Sequence, residues 1–153
     1  FSPRPRQQAL FEAQLALARE LRLPVIIHSR DACLPTMEIV RASGVRRGVI
    51  HCFTGSRETM EQYVEMGFYI GFTGMVTFPN AKRPRTVAAA TPLERLLIET
   101  DCPYMAPVPY RGQRCDSSML IETARVLAGL QSVPPEVLVA TTNRSAKQLF
   151  GLT

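Results

Sequence analysis

Short, wholly apolar runs alternate along the chain with longer stretches whose apolar positions recur at a helical period. Four runs have strand length and are rich in β-branched or aromatic residues: 24–28, 48–52, 68–72 and 96–100. Ahead of the first, residues 6–22 predict a helix. Leu10, Gln14, Leu17 and Leu21 fall on one side, and Phe11, Leu15 and Ala18 widen the apolar face. Pro24 ends this helix and opens the first strand. A second helix is expected from a cap at Asp31, with Pro35 in its early turns, through Met37, Ile39 and Val40 to Gly44. A third starts at Ser56, buries Met60, Tyr63, Val64 and Met66, and stops at Gly67.

Residues 73–80 read as a loop and 82–90 as a helix, with Pro84 near its start. Pro103, Pro107, Pro109 and Gly112 mark 102–116 as a long loop. Two helices follow. One covers about 117–130 with Asp116 or Ser117 as cap, and the other runs from Pro134-Pro135 to just before Gly151. Strands alternating with helices specify an α/β fold with a parallel sheet. Four strands alone do not close an eight-stranded barrel.

Composition narrows the picture only in part. The apolar fraction of 46% suits a globular chain, and the net charge is 18 − 13 = +5. That charge permits a polyanionic partner and equally describes a basic solvated surface. No apolar run approaches the roughly 18 residues of a membrane span, so no membrane association is expected. The start, Phe1-Ser2-Pro3-Arg4-Pro5-Arg6, lacks the apolar segment of a signal peptide. Cys33, Cys52, Cys102 and Cys115 form no C-x-x-C pair, which is read as reduced thiols in a cytoplasmic protein.

The candidate chemistry sits where the strands end. Val25-Ile26-Ile27 leads into His28, Val49-Ile50 into His51, and Leu96-Leu97-Ile98-Glu99-Thr100 into Asp101. In a parallel sheet all three emerge at the C-terminal edge, where α/β folds place their active sites. Imidazole and carboxylate donors suit Zn, Mn, Fe or Mg. The plain alternative for each histidine is a hydrogen-bonded core residue. By strand parity Glu99 shares a face with Asp101, as a partner of a ligand or as a buried, paired acid.

These stretches carry a resemblance. Leu23-Pro24-Val25-Ile26-Ile27-His28-Ser29-Arg30-Asp31-Ala32 resembles the fifth-strand signature of the TatD family of metal-dependent hydrolases. Val49-Ile50-His51-Cys52-Phe53-Thr54-Gly55-Ser56 resembles the next signature, followed in register by Tyr69-Ile70-Gly71-Phe72-Thr73-Gly74. Leu96 to Pro107 resembles the eighth-strand segment, and Thr142-Asn143 through Gly151 fits the ending. The resemblance implies a TIM-barrel (β/α)8 fold, with residues 1–153 as the C-terminal half: about the last four β/α units plus C-terminal helices. It implies a deoxyribonuclease that cleaves DNA phosphodiesters with water activated by two divalent ions, Mg, Mn or Zn. His28 and His51 then bind one ion, and Asp101 binds the other and helps activate the water.

The chain also departs from the family pattern. The first-strand His-x-His and the bridging Glu of the fourth strand have no counterpart here, since the sequence contains two histidines in all. Weak metal binding is therefore expected. The family's Arg-Asn-Glu-Pro-like run is replaced by Arg114-Cys115-Asp116-Ser117, with Asp116 as a partial substitute for the acid.

Arg30, Arg111 and Arg114 are candidate phosphate contacts, with Tyr104 and Tyr110 interleaved for base stacking on a single strand. A solvated or ion-paired role is the ordinary reading of each arginine. Two rival functions stand beside the nuclease. One is an inactive half-barrel that pairs with a second copy or with a missing N-terminal half through its open sheet edges. The other is an enzyme acting on cyclic amides or esters.

Overall fold

The computed structural model describes residues 2–153; Phe1, the first residue of the segment read above as lacking an apolar leader, lies outside them. Four strands, β1 (Val25–His28), β2 (Gly48–His51), β3 (Tyr69–Phe72) and β4 (Leu96–Ile98), form one parallel sheet in the order β1-β2-β3-β4. Six helices accompany them: α1 (Arg4–Glu20), α2 (Cys33–Ser43), α3 (Arg57–Glu65), α4 (Lys82–Ala90), α5 (Leu120–Gln131) and α6 (Pro135–Phe150). This is the α/β architecture expected from the alternation.

Local chemistry explains most boundaries. Gly44 ends α2 in the left-handed conformation at φ 73°, which costs a residue without Cβ nothing. Ser56 caps α3, its side chain accepting from the Thr59 N–H at 3.3 Å. Two expectations need correction. Asp31 does not cap α2: Ala32 holds that position, and Asp31 itself adopts φ 54° in the preceding loop. The stretch 73–80 also contains a 3-10 turn, Gly74–Thr77, in which the Thr73 side chain accepts from the Met75 N–H.

The two faces of the sheet bury different things. Ile27, Ile50, Ile70, Phe72 and Leu96 point toward the helices and pack with Met37 and Val40 of α2, Met60 and Tyr63 of α3, Val87 of α4 and Leu127 of α5. Val49, Tyr69 and Leu97 point the other way and are covered by Leu149 of α6. Arg47 fastens that cover, its Nε donating to the Leu149 carbonyl at 2.8 Å. Ile26, one strand over on the same side, is 64% exposed.

α1 corrects the helical-face reading. It buries Leu15 and half-buries Phe11 and Ala18, while Leu10, Leu17 and Leu21 stay exposed. The helix docks on α2 through the narrower stripe, and among the described residues nothing packs on the wider one.

Leu96 is fully buried where β4 meets the helical layer. Leu96→Ala is expected to cost about 2–5 kcal/mol, read as a lower urea midpoint with an unchanged slope.

Candidate metal centre

The register of the sheet does the first part of the work. His28 and His51 are direct Cα partners across β1 and β2, and their rings lie 5.8 Å apart, tilted by 41°. Parity turns both onto the face with Val49 and Tyr69, away from α2, α3, α4 and α5. β4 ends earlier than the sequence implied, at Ile98, so Glu99 and Asp101 leave the ladder from its last rung. The Glu99 N–H still donates to the Phe72 carbonyl at 3.1 Å, which fixes the acid beside β3.

His51 hangs between these two acids. Its Nδ1 is 2.8 Å from Glu99 Oε1 and its Nε2 is 3.1 Å from Asp101 Oδ1. Glu99 Oε1 also accepts from the Cys52 N–H at 2.6 Å. Cys52 reaches that position at φ 48°, a left-handed conformation that a non-glycine residue holds only where surrounding contacts enforce it. The Glu99 hydrogen bond is the main reason the imidazole pKa is raised above its usual value, with Asp101 adding to it and burial opposing. Burial in turn pushes the Cys52 thiol up, so it stays protonated.

Space for the Glu99 carboxylate comes from Gly71. A Cβ on Gly71 would lie 2.5 Å from Glu99 Oε1 and 2.6 Å from its Cδ. Neither Gly71 nor the backbone of Cys52 was singled out from the sequence. The available signal was a glycine inside an otherwise apolar strand, a mark of close approach.

The donors match one flank of a divalent ion. Two imidazoles and a carboxylate are ligands of the right chemistry, and Glu99 on Nδ1 is the outer partner that orients a ligating histidine through its other nitrogen. Among the described residues, however, no three His, Cys, Asp or Glu side chains converge to enclose a metal. His28, His51 and Asp101 therefore supply part of a coordination shell.

The remaining candidates lie on loops at the same edge. Arg30, Arg111 and Arg114 are exposed, and none has an ion-pair partner among the described residues. The Arg111 guanidinium lies 4.5 Å over the Phe78 ring. Asp116 is exposed and caps the 3-10 turn Ser117–Met119, accepting from the Ser118 N–H at 2.8 Å, so its carboxylate is committed there. A cavity of about 350 Å³ opens beside His51 between the loops after β1 and β2, with Ser29, Thr54 and Tyr63 in its walls.

A parallel α/β sheet with a histidine–carboxylate cluster at its C-terminal edge defines the class. The family described as TatD related DNase matches residues 1–151, and the chain belongs to that family. It is 43% identical to the uncharacterized metal-dependent hydrolase YabD of Bacillus subtilis over 151 residues, covering 97% of this chain and 59% of YabD. It is 37% identical to the 3'-5' ssDNA/RNA exonuclease TatD of a Rahnella species, over all of this chain and 61% of that protein. Among solved structures, the TatD homolog YJJV of Escherichia coli K12 superposes with a TM-score of 0.92 at 34% identity, over 100% of this chain and 61% of the other. The chain thus spans about three fifths of the length of these relatives.

Because the folded pKa of His51 is raised, the His51–carboxylate pairing contributes stability at pH values below the histidine's unfolded pKa. That contribution is lost as pH rises through the folded value. Glu99→Gln should therefore destabilise the metal-free protein more at pH 5.5 than at pH 8.5 in urea titrations. In NMR titrations the same substitution should bring the His51 midpoint down toward that of free histidine.

Proposed function

We propose that this chain carries part of the active site of a metal-dependent phosphodiesterase that hydrolyses DNA. The observation that supports it best is His51 suspended between Glu99 and Asp101 beside His28, in a chain of the TatD family. His28, His51 and Asp101 are the residues that would hold divalent metal. The chemistry such an ion supplies when bound is charge stabilisation on the phosphoryl oxygens and acidification of water.

The chain's own residues do the rest. Asp101, with its side chain 37% exposed, stands open to solvent and accepts the proton of the attacking water. Glu99 holds His51 with Nδ1 protonated and Nε2 turned to the open side. Arg30, Arg111 and Arg114 are free to pair with phosphates along the strand. We assign the four β/α units to an eight-stranded barrel and read them as its C-terminal half. The family match over residues 1–151 does not by itself choose a half. The exposure of Ile26 on the free side of β1 supports an open barrel edge. The four free cysteines support a reducing, cytoplasmic setting.

The incomplete donor set favours a second reading. Without a third converging ligand the chain is a half-barrel that is inactive alone and completes its site by pairing at the β1 edge, with a second copy or with an N-terminal half.

The deciding experiment is cleavage of a labelled single-stranded oligonucleotide with Mg or Mn, run beside a chelator and His51→Ala. Cleavage that both treatments abolish supports the phosphodiesterase. No cleavage of any phosphodiester by folded protein overturns it in favour of the inactive half-barrel. Glu99→Gln should weaken metal binding by about 10–100-fold, measured by competition with a chromogenic chelator.

A further inference from the structure

Tyr104, one of the two tyrosines read from the sequence as candidates for base stacking, stands 71% exposed three residues beyond Asp101. An exposed tyrosine on a loose loop would mean little; this one rides on fixed main chain. Its N–H donates to the Asp101 carbonyl at 2.8 Å, and the two residues form an antiparallel bridge. The carbonyl of the neighbouring Pro103 accepts from the Cys115 N–H at 3.0 Å. On the other side the Met105 carbonyl lies against Gly74, where a Cβ would meet it at 2.6 Å. The Val108 N–H then donates to Thr77 Oγ1 at 2.8 Å, and that hydroxyl donates to the Gly74 carbonyl at 2.7 Å. The loop is thereby pinned to the end of β4 and to the 3-10 turn Gly74–Thr77. Among the described residues no aromatic ring or guanidinium covers the phenol.

We propose that Tyr104 is a stacking platform for a nucleobase of a single-stranded chain whose phosphodiester lies at Asp101. The inference rests on the phosphodiesterase reading and adds how the strand is held. With its main chain pinned, the tyrosine has only two side-chain torsions to lose on binding, and every base offers it a π face. Arg111, steadied on Phe78, sets a cation in the same loop, and the net charge of +5 is compatible with a polyanion. Tyr104 is a positioning residue: it holds the strand and takes no part in bond making.

The sequence has no tryptophan and four tyrosines, of which Tyr63 and Tyr69 are buried, so quenching by contact with an added strand reports mainly on Tyr104 and Tyr110. The test uses the protein in chelator, which stops turnover and leaves the platform's contacts intact, since all of them are protein–protein. Oligothymidylate should quench tyrosine emission saturably. An abasic oligomer of equal length and charge should not. Tyr104→Leu should abolish the quench and weaken oligothymidylate binding about tenfold by anisotropy of a labelled strand. Tyr104→Phe should bind as the parent does, and oligouridylate run in parallel separates DNA from RNA preference. Equal binding of the abasic oligomer, unchanged binding in Tyr104→Leu, or no binding of either oligomer overturns the platform. Base-dependent quenching without any cleavage overturns only the phosphodiesterase reading. Metal-dependent cleavage without quenching overturns only the platform.

Discussion

Glu99 occupies the space left by the absent side chain of Gly71, and from there it takes the N–H groups of both His51 and Cys52 on one oxygen. The rest of the functional edge follows from this contact. It fixes which imidazole nitrogen faces Asp101, and it gives a strained backbone turn at Cys52 a reason to persist. A partly buried carboxylate with fewer donors would be costly to keep ionised, so the two N–H groups and the acid sustain one another. Removing the carboxylate takes the shared acceptor from both N–H groups at once. The cluster is better understood as a unit than as a ligand with an accessory.

The sheet explains why this unit sits at an open edge. One face is sealed by α2, α3, α4 and α5 and its strand residues are apolar, while the buried Tyr63 hydroxyl of α3 lies in that layer without a hydrogen-bond partner. The other is covered near the strand starts by α6 and left uncovered where the strands end. On the sheet itself the charged and imidazole side chains gather at the C-terminal end of the face that carries Val49 and Tyr69. There the parity of each strand delivers His28, His51 and Glu99 together.

Much of this was readable in the residues. Four β-branched or aromatic runs, separated by helical stretches that Pro24, Gly44 and Gly67 bring to an end, specified the parallel sheet, and the two histidines at equivalent strand ends specified a shared edge. The errors lie where tertiary contacts outweigh local pattern. α1 has two plausible apolar stripes, and docking on α2 chooses the one through Leu15. Asp31 has a capping side chain, but its left-handed backbone takes it out of the cap position. The pairing of Glu99 with Gly71 spans two strands and depends on register, which no single stretch of sequence displays.

Each strand pairs only with its neighbours in the sequence, so the ladder assembles from successive closures. Among the described residues the hydrogen bond of greatest sequence separation is the clasp between Arg47 and Leu149, 102 residues apart. Closing so long a loop before the sheet exists would be entropically expensive, and α6 is accordingly expected to dock late. Interactions that form after the rate-limiting step govern how fast a molecule comes apart rather than how fast it forms. The Leu149 contact with Val49, Tyr69 and Leu97 is thus a latch on the lifetime of the folded state, and it lies toward the opposite end of the strands from the histidines.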